Sequence, residues 1–188
     1  ITADRATYES LHEEADRLVR LSRELDALAE GDAETSLAVP VEVDLAEAIG
    51  SAIALVSPSI ERAGLRLTVE VPSTLPARAD PDRLAQVLAN LLSNAVRYTP
   101  SGGAMTVRAE RRPGDVLVSV LNTGEPIPAA DLDRVFERFY RVEKSRARAR
   151  GGAGIGLAIV KQLVEQGGGR VGAESGNGLT RFWFSVPS

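Results

Sequence analysis

The chain has 188 residues, 44% hydrophobic and 26% charged, which suits one full core of about 100 to 150 residues plus an appendage and excludes a disordered polymer. A net charge of −4 gives no general nucleic-acid footprint, and the absence of cysteine excludes disulfides and thiolate metal sites. No apolar run approaches the roughly 18 to 20 residues of a membrane span and no signal peptide opens the chain; it begins at Ile1 without Met, so the expectation is a piece cut from a longer protein, with any membrane anchor left behind.

From Thr2 to Glu30 there is no Gly or Pro, and Glu, Arg, Leu and Ala dominate, which predicts one long helix. Leu11, Leu18 and Leu25 lie seven apart, with Leu21 and Leu28 in the second seam position, a coiled-coil stripe that needs a partner helix. Gly31-Asp32 ends it. The expected division is therefore a helix over residues 1–32, a linker over 33–40 and one domain over 41–188.

Within that domain Val41 to Asp44 is a short extended run and Leu45 to Ala63 a helix stopped at Gly64. Leu65 to Val71 alternates at period two, as a half-buried strand does. Asp80-Pro81-Asp82 opens a second helix, with Asp as N-cap and Pro at the first helical position, running to Tyr98 before Pro100. Ala104 to Glu110 and Val116 to Leu121 predict a hairpin around Arg112 to Asp115. A short helix over Ala129 to Val135 follows, then a basic stretch, Glu137 to Arg150, with six Lys/Arg against two Glu. A helix from Gly154 to Glu165 and two strands, Arg170 to Glu174 and Leu179 to Val186, joined by a Gly-Asn-Gly turn, complete the chain. The predicted fold is an α/β (α+β) sandwich, a mixed sheet covered on one face by three helices.

Two motifs carry chemistry. The carboxamides of Asn90 and Asn94, at i and i+4, share one helical face, with Arg97 and Tyr98 a turn on. Gly152-Ala-Gly154-Ile-Gly156-Leu157 removes side chains just before a helix whose first amide N–H groups favour an anion. No clear strand precedes Gly152, which argues against a dinucleotide fingerprint. Each motif alone is weak, since paired surface Asn and Gly-rich loops are common; together they describe a nucleotide site.

The order of motifs resembles the catalytic and ATP-binding domain of bacterial sensor histidine kinases, in the superfamily that includes gyrase, MutL and the heat-shock chaperones. The matching segments are Asn90 to Thr99, Asn122-Thr-Gly124-Glu-Pro-Ile127-Pro, Val135-Phe136-Glu-Arg-Phe139-Tyr, Gly152 to Leu157, and Gly178-Leu-Thr180. The resemblance implies a cytoplasmic domain that binds ATP and Mg2+ and transfers the γ-phosphoryl group to a histidine, for relay to an aspartate on a response regulator receiver domain. It implies that Asn94 and Arg97 act on the triphosphate, that Asn94 and Asn90 serve the metal, and that Tyr98 lies against adenine. Asn122, Gly124, Ile127, Gly152, Gly154, Gly156, Leu157 and Thr180 would complete the pocket, under a lid from Glu137 to Gly152 whose Arg150 meets phosphate. Residues 1–32 would be the second helix of a dimerisation hairpin that makes the longer protein a homodimer.

Two departures from the family pattern bear on activity. Asn122 stands where the family has Asp, and Pro126 where it has Gly; losing the charged acceptor costs about 1 kcal/mol, so weaker ATP binding is expected. The one histidine, His12, is followed by Glu13-Glu14-Ala15-Asp16, unlike a phosphoacceptor box, and reads as a surface residue of the hairpin's second helix. The acceptor would then be missing and the chain unable to phosphorylate itself. A degenerate nucleotide-binding scaffold is the alternative that Asn122 and Pro126 favour. An anti-sigma serine kinase is opposed by the heptad helix, and a gyrase-type ATPase by Asn90 standing where a water-activating Glu belongs.

Overall fold

The computed structural model describes residues 40–142 and 154–188. The expected heptad helix, the linker as far as residue 39, His12, Arg150, Gly152 and most of the basic stretch lie outside these residues.

Seven strands and three helices are described: β1 (Val41–Asp44), α1 (Leu45–Arg62), β2 (Arg66–Glu70), β3 (Pro76–Ala79), α2 (Pro81–Tyr98), β4 (Ala104–Arg112), β5 (Asp115–Thr123), α3 (Gly156–Gln166), β6 (Val171–Gly176) and β7 (Leu179–Pro187). Helix α1 begins at Asp44, whose Oδ1 accepts from the backbone N–H of Ala46 and of Leu75, both at 2.9 Å. One carboxylate thus caps the helix and ties it to the segment leading into β3. The helix stops where Gly64 takes φ 63°, a left-handed conformation open to glycine at little cost. Helix α2 starts as its sequence dictates, with Asp80 Oδ1 accepting from the N–H groups of Asp82 (2.9 Å) and Arg83 (3.2 Å) and Pro81 in the first turn.

Five strands form a mixed sheet in the order β2-β4-β5-β7-β6, parallel between β2 and β4 and antiparallel elsewhere. One face carries the core. Met105, Val107 and Ala109 of β4, Val116, Val118 and Val120 of β5, and Phe182, Phe184 and Val186 of β7 are buried there with the α2 stripe Leu84, Val87, Leu88, Leu91, Leu92 and Ala95. That stripe repeats at three and four residues, so α2 lies with one side on the sheet and presents Asn90, Asn94 and Arg97 at its margin. The opposite face is polar: Arg181 donates to Ser119 Oγ and pairs with Glu174, and Arg108 pairs with Glu70.

Three expectations are refined. Strand β3 pairs with β1 in a separate two-stranded sheet that four residues bounded by prolines did not signal. The short helix expected over Ala129 to Val135 is two 3-10 turns, Ala129–Asp131 and Arg134–Phe136. Helix α3 begins at Gly156 and not at Gly154, because Gly154 sits at φ 75°, outside right-handed helical space.

Candidate functional site

A cleft of about 240 Å³ opens between the C-terminal half of α2, the ends of β5 and β7, and the start of α3. Helical spacing places Asn94, Arg97 and Tyr98 on its α2 wall. Neither Asn90 nor Asn94 finds a hydrogen-bond partner for its carboxamide among the described residues. Asn90 lies one turn below Asn94, its Oδ1 3.2 Å from the point where a Cβ on Gly156 would stand. The two motifs, some sixty residues apart in the chain, therefore meet.

Glycine is required where these walls touch. A Cβ on Gly154 would lie 2.9 Å from the carbonyl oxygen of Tyr140, and one on Gly124 would lie 2.9 Å from that of Tyr98. The Gly154 carbonyl in turn accepts from Phe139 N–H at 2.9 Å, and Phe139 itself holds φ 65°. Beyond Gly154, α3 opens at Ile155 with no side-chain cap, and Gly154 and Leu157 line the cleft, so the positive end of the helix dipole lies beside it without a capping side-chain oxygen. That is an anion-binding arrangement, and the cations Arg97 and Arg141 line the same cleft.

The sheet side is of different character. Ile127, Val135, Leu157 and Phe182 supply apolar surface, and Phe182 is braced edge-on by Phe136 with ring centroids 6.2 Å apart. Two buried polar residues interrupt it, Asn122 of β5 and Thr180 directly opposite on β7, each 4% exposed. Asn122 Nδ2 donates to the Thr123 carbonyl at 3.3 Å, and no described residue donates to its Oδ1. Thr180 Oγ1 is 2.8 Å from Ser175 Oγ, which also accepts from Ile127 N–H at 2.9 Å, fixing the loop after β5 to β6.

The third wall is Tyr140. Its hydroxyl donates to Asp131 Oδ1 at 2.6 Å while Arg134 stacks 4.1 Å above its ring. The hydrogen bond to Asp131, then burial, then the negative charges of Asp131 and Glu137 raise the phenol above its ordinary pKa of 10.0, against the pull of Arg134.

Residues 79–188 match the family model described as Histidine kinase-, DNA gyrase B-, and HSP90-like ATPase. The chain belongs to this family. Among curated ATPase-family relatives, the sensor-like histidine kinase SenX3 of Mycobacterium tuberculosis is 35% identical over 93% of this chain and 43% of its own length. The sensor histidine kinase CusS of Escherichia coli is 37% identical over 94% of this chain and 36% of its own. The chain thus spans less than half the length of these relatives. Full-length ShkA in complex with AMPPNP superposes with a TM-score of 0.83 at 32% identity, covering all of this chain and 39% of that one. The expected fold is therefore the observed one, and the domain is of the sensor-histidine-kinase type within the ATPase family.

Of the residues expected in the site, Asn94, Arg97, Tyr98, Asn122, Ile127, Gly154, Leu157 and Thr180 line one cleft. Asn90, Gly124 and Gly156 stand behind that lining, at the contacts described above. Arg150 and Gly152 lie outside the described residues. The structure adds Tyr140, Arg141 and Phe182 as wall residues. Phe182 had a signal in the sequence, since it shares the inward face of β7 with Thr180 two positions earlier. Tyr140 stood in the Val135-to-Tyr140 motif and in the expected lid, but its contacts with Asp131 and Arg134 of the preceding 3-10 turns had no signal.

Proposed function

We propose that this domain binds Mg-ATP in the cleft between α2 and α3 and that its parent is a two-component kinase which transfers the γ-phosphoryl group to a histidine ring nitrogen. The observation that carries the reading is the approach of the Asn90 carboxamide to the uncapped start of α3, with Asn94 lining the same cleft one turn on. Carboxamide oxygens suit Mg2+, and backbone N–H groups beside Arg97 suit phosphate. Among the described residues no cluster of three or more His, Asp or Glu could hold a metal alone, so the ion would arrive with the triphosphate and share its oxygens. Bound Mg2+ would neutralise charge developing on the phosphates.

The domain's own residues would position and neutralise. Asn94 and Asn90 orient the phosphates, Arg97 and the lid residue Arg150 offset their charge, Gly152, Gly154 and Gly156 admit the backbone, and Tyr98 lies against the base. In the transfer the bond from the γ-phosphorus to the β–γ bridging oxygen breaks and a phosphorus–nitrogen bond forms. ADP leaves, and the imidazole proton passes to an acidic residue beside the acceptor. A response regulator aspartate then takes the phosphoryl group. Dimerisation through the helical hairpin, anchoring of the parent in a membrane with this domain on the cytoplasmic side, and the lack of an acceptor in His12 belong to the same proposal. The structure of full-length ShkA with AMPPNP, an ATP analogue by name, supports the nucleotide assignment.

Asn122 and Pro126 favour a second reading, a nucleotide-binding scaffold without transfer. Incubating the chain with ATP radiolabelled at the γ-phosphorus, with and without the parent's acceptor hairpin, separates the two. Label on the hairpin and none on His12 is the expected result. Measurable ATP binding with no label on the hairpin would favour the scaffold, and label on His12 would overturn the assignment of the acceptor.

A further inference from the structure

Asn122 is the polar group that the nucleotide reading leaves without a settled task. It is 4% exposed, lines the cleft, and sits among Ile127, Val135 and Phe182, where a flat ring system would lie, away from the cationic α2–α3 side that suits phosphate. Burying a carboxamide among apolar side chains is costly unless its atoms are hydrogen-bonded. Here the Nδ2 donates one hydrogen to the Thr123 carbonyl at 3.3 Å, a long bond, and the Oδ1 receives none from the described residues. The group thus keeps one acceptor and one N–H for whatever enters.

We propose that Asn122 makes this a site of relaxed purine selectivity, accepting 6-oxopurine nucleoside triphosphates as well as ATP. The inference rests on the reading of the cleft as a nucleotide site. An exocyclic 6-amino group only donates at the edge it presents, and a 6-carbonyl only accepts. A carboxylate at position 122 could serve the first and would repel the second. A carboxamide serves both, its Oδ1 taking the amino hydrogen or its remaining N–H meeting the carbonyl. The terminal torsion of Asn is broad and the bond to Thr123 is long, so turning the amide from one use to the other disturbs little. Thr180, facing Asn122 across the β5–β7 pair, does not restore discrimination. Its hydroxyl is an adaptable rotor that shares its hydrogen bond with Ser175, and can donate or accept as its neighbour dictates.

Calorimetric titration of the chain with Mg-ATP, Mg-ITP and purine riboside triphosphate, which lacks any 6-substituent, tests this directly. ATP and ITP should bind within about tenfold of one another, and the unsubstituted purine about tenfold more weakly than either, the loss of one hydrogen bond to a buried amide. Asn122→Asp should widen the preference for ATP over ITP by at least about tenfold. The unsubstituted-purine comparison uses the wild-type chain alone and holds whether or not the buried carboxylate of the variant is tolerated. A wild-type preference for ATP beyond about a hundredfold, or unsubstituted purine binding as well as ATP, overturns the inference while leaving the nucleotide site standing. Binding of none of the three overturns the site itself.

Discussion

Close approaches at single residues decide the shape of the cleft. Gly154 combines φ 75° with only 2.9 Å between its missing Cβ and the Tyr140 carbonyl, whereas Gly156 has 3.2 Å to the end of the Asn90 side chain. A backbone cannot yield as a side chain tip can. Gly154→Ala should therefore cost about 1 to 3 kcal/mol of stability together with most of the ATP affinity, and Gly156→Ala under about 1 kcal/mol, both read from denaturant unfolding. Tyr140 makes a second prediction. Removing its hydroxyl in Tyr140→Phe loses the 2.6 Å bond to Asp131 and should weaken ATP binding several-fold by loosening the wall beside Gly154. The folded-state pKa of this phenol is raised, so its contribution to stability is present below about pH 10 and is lost as pH rises through the higher folded value. The phenolate absorbance missing from Tyr140→Phe should accordingly be centred above pH 10.

At the scale of elements, the caps explain where the helices begin. The Asp44 carboxylate serves both Ala46 and Leu75, and so joins α1 to a segment thirty-one residues on, while Asp80 serves only the first turn of its own helix. Asp44→Ala should lower stability by about 2 kcal/mol and Asp80→Ala by about 1 kcal/mol, measured as shifts in the urea midpoint. On the outer face of the sheet Gly172 leaves room for the indole of Trp183, whose Cζ2 occupies the space of the Cβ that alanine would add. Trp183 is the one tryptophan of the chain, so Gly172→Ala should shift its fluorescence and destabilise the β6–β7 pair. These elements differ in how plainly the sequence announces them. Helix α2 was legible from end to end because Asp80, Pro81 and the Leu84-to-Ala95 stripe all say the same thing locally. Strand β3 was not, since Pro76–Ala79 is ordered by pairing with Val41–Asp44 across more than thirty residues, and no local period records such a pairing. The 3-10 turns at Ala129–Asp131 and Arg134–Phe136 carry a helical composition, and nothing local in the sequence marks the break between them.

For the whole molecule, the sandwich places two distant motifs on one rim. The α2 stripe seats the helix on the sheet, and that seating brings Asn90 to Gly156 and Asn94 into the cleft that Gly154 also lines. The pairing of the motifs could be anticipated from residue types, but the contacts that hold Tyr140 against Asp131 and Arg134 could not, because they join separate turns. A ligand bound to the folded chain alone raises apparent stability by mass action, so saturating Mg-ATP should raise the melting temperature by several degrees. The central claim is that the Asn94 carboxamide and the start of α3 together grip the charged end of one nucleotide. Titrating ATP calorimetrically with and without Mg2+ into the wild-type chain and Asn94→Ala measures that grip. One ATP per chain, bound more tightly with Mg2+, with that gain abolished in Asn94→Ala, is the predicted result. An identical affinity in both proteins, or no binding at millimolar ATP, would contradict it.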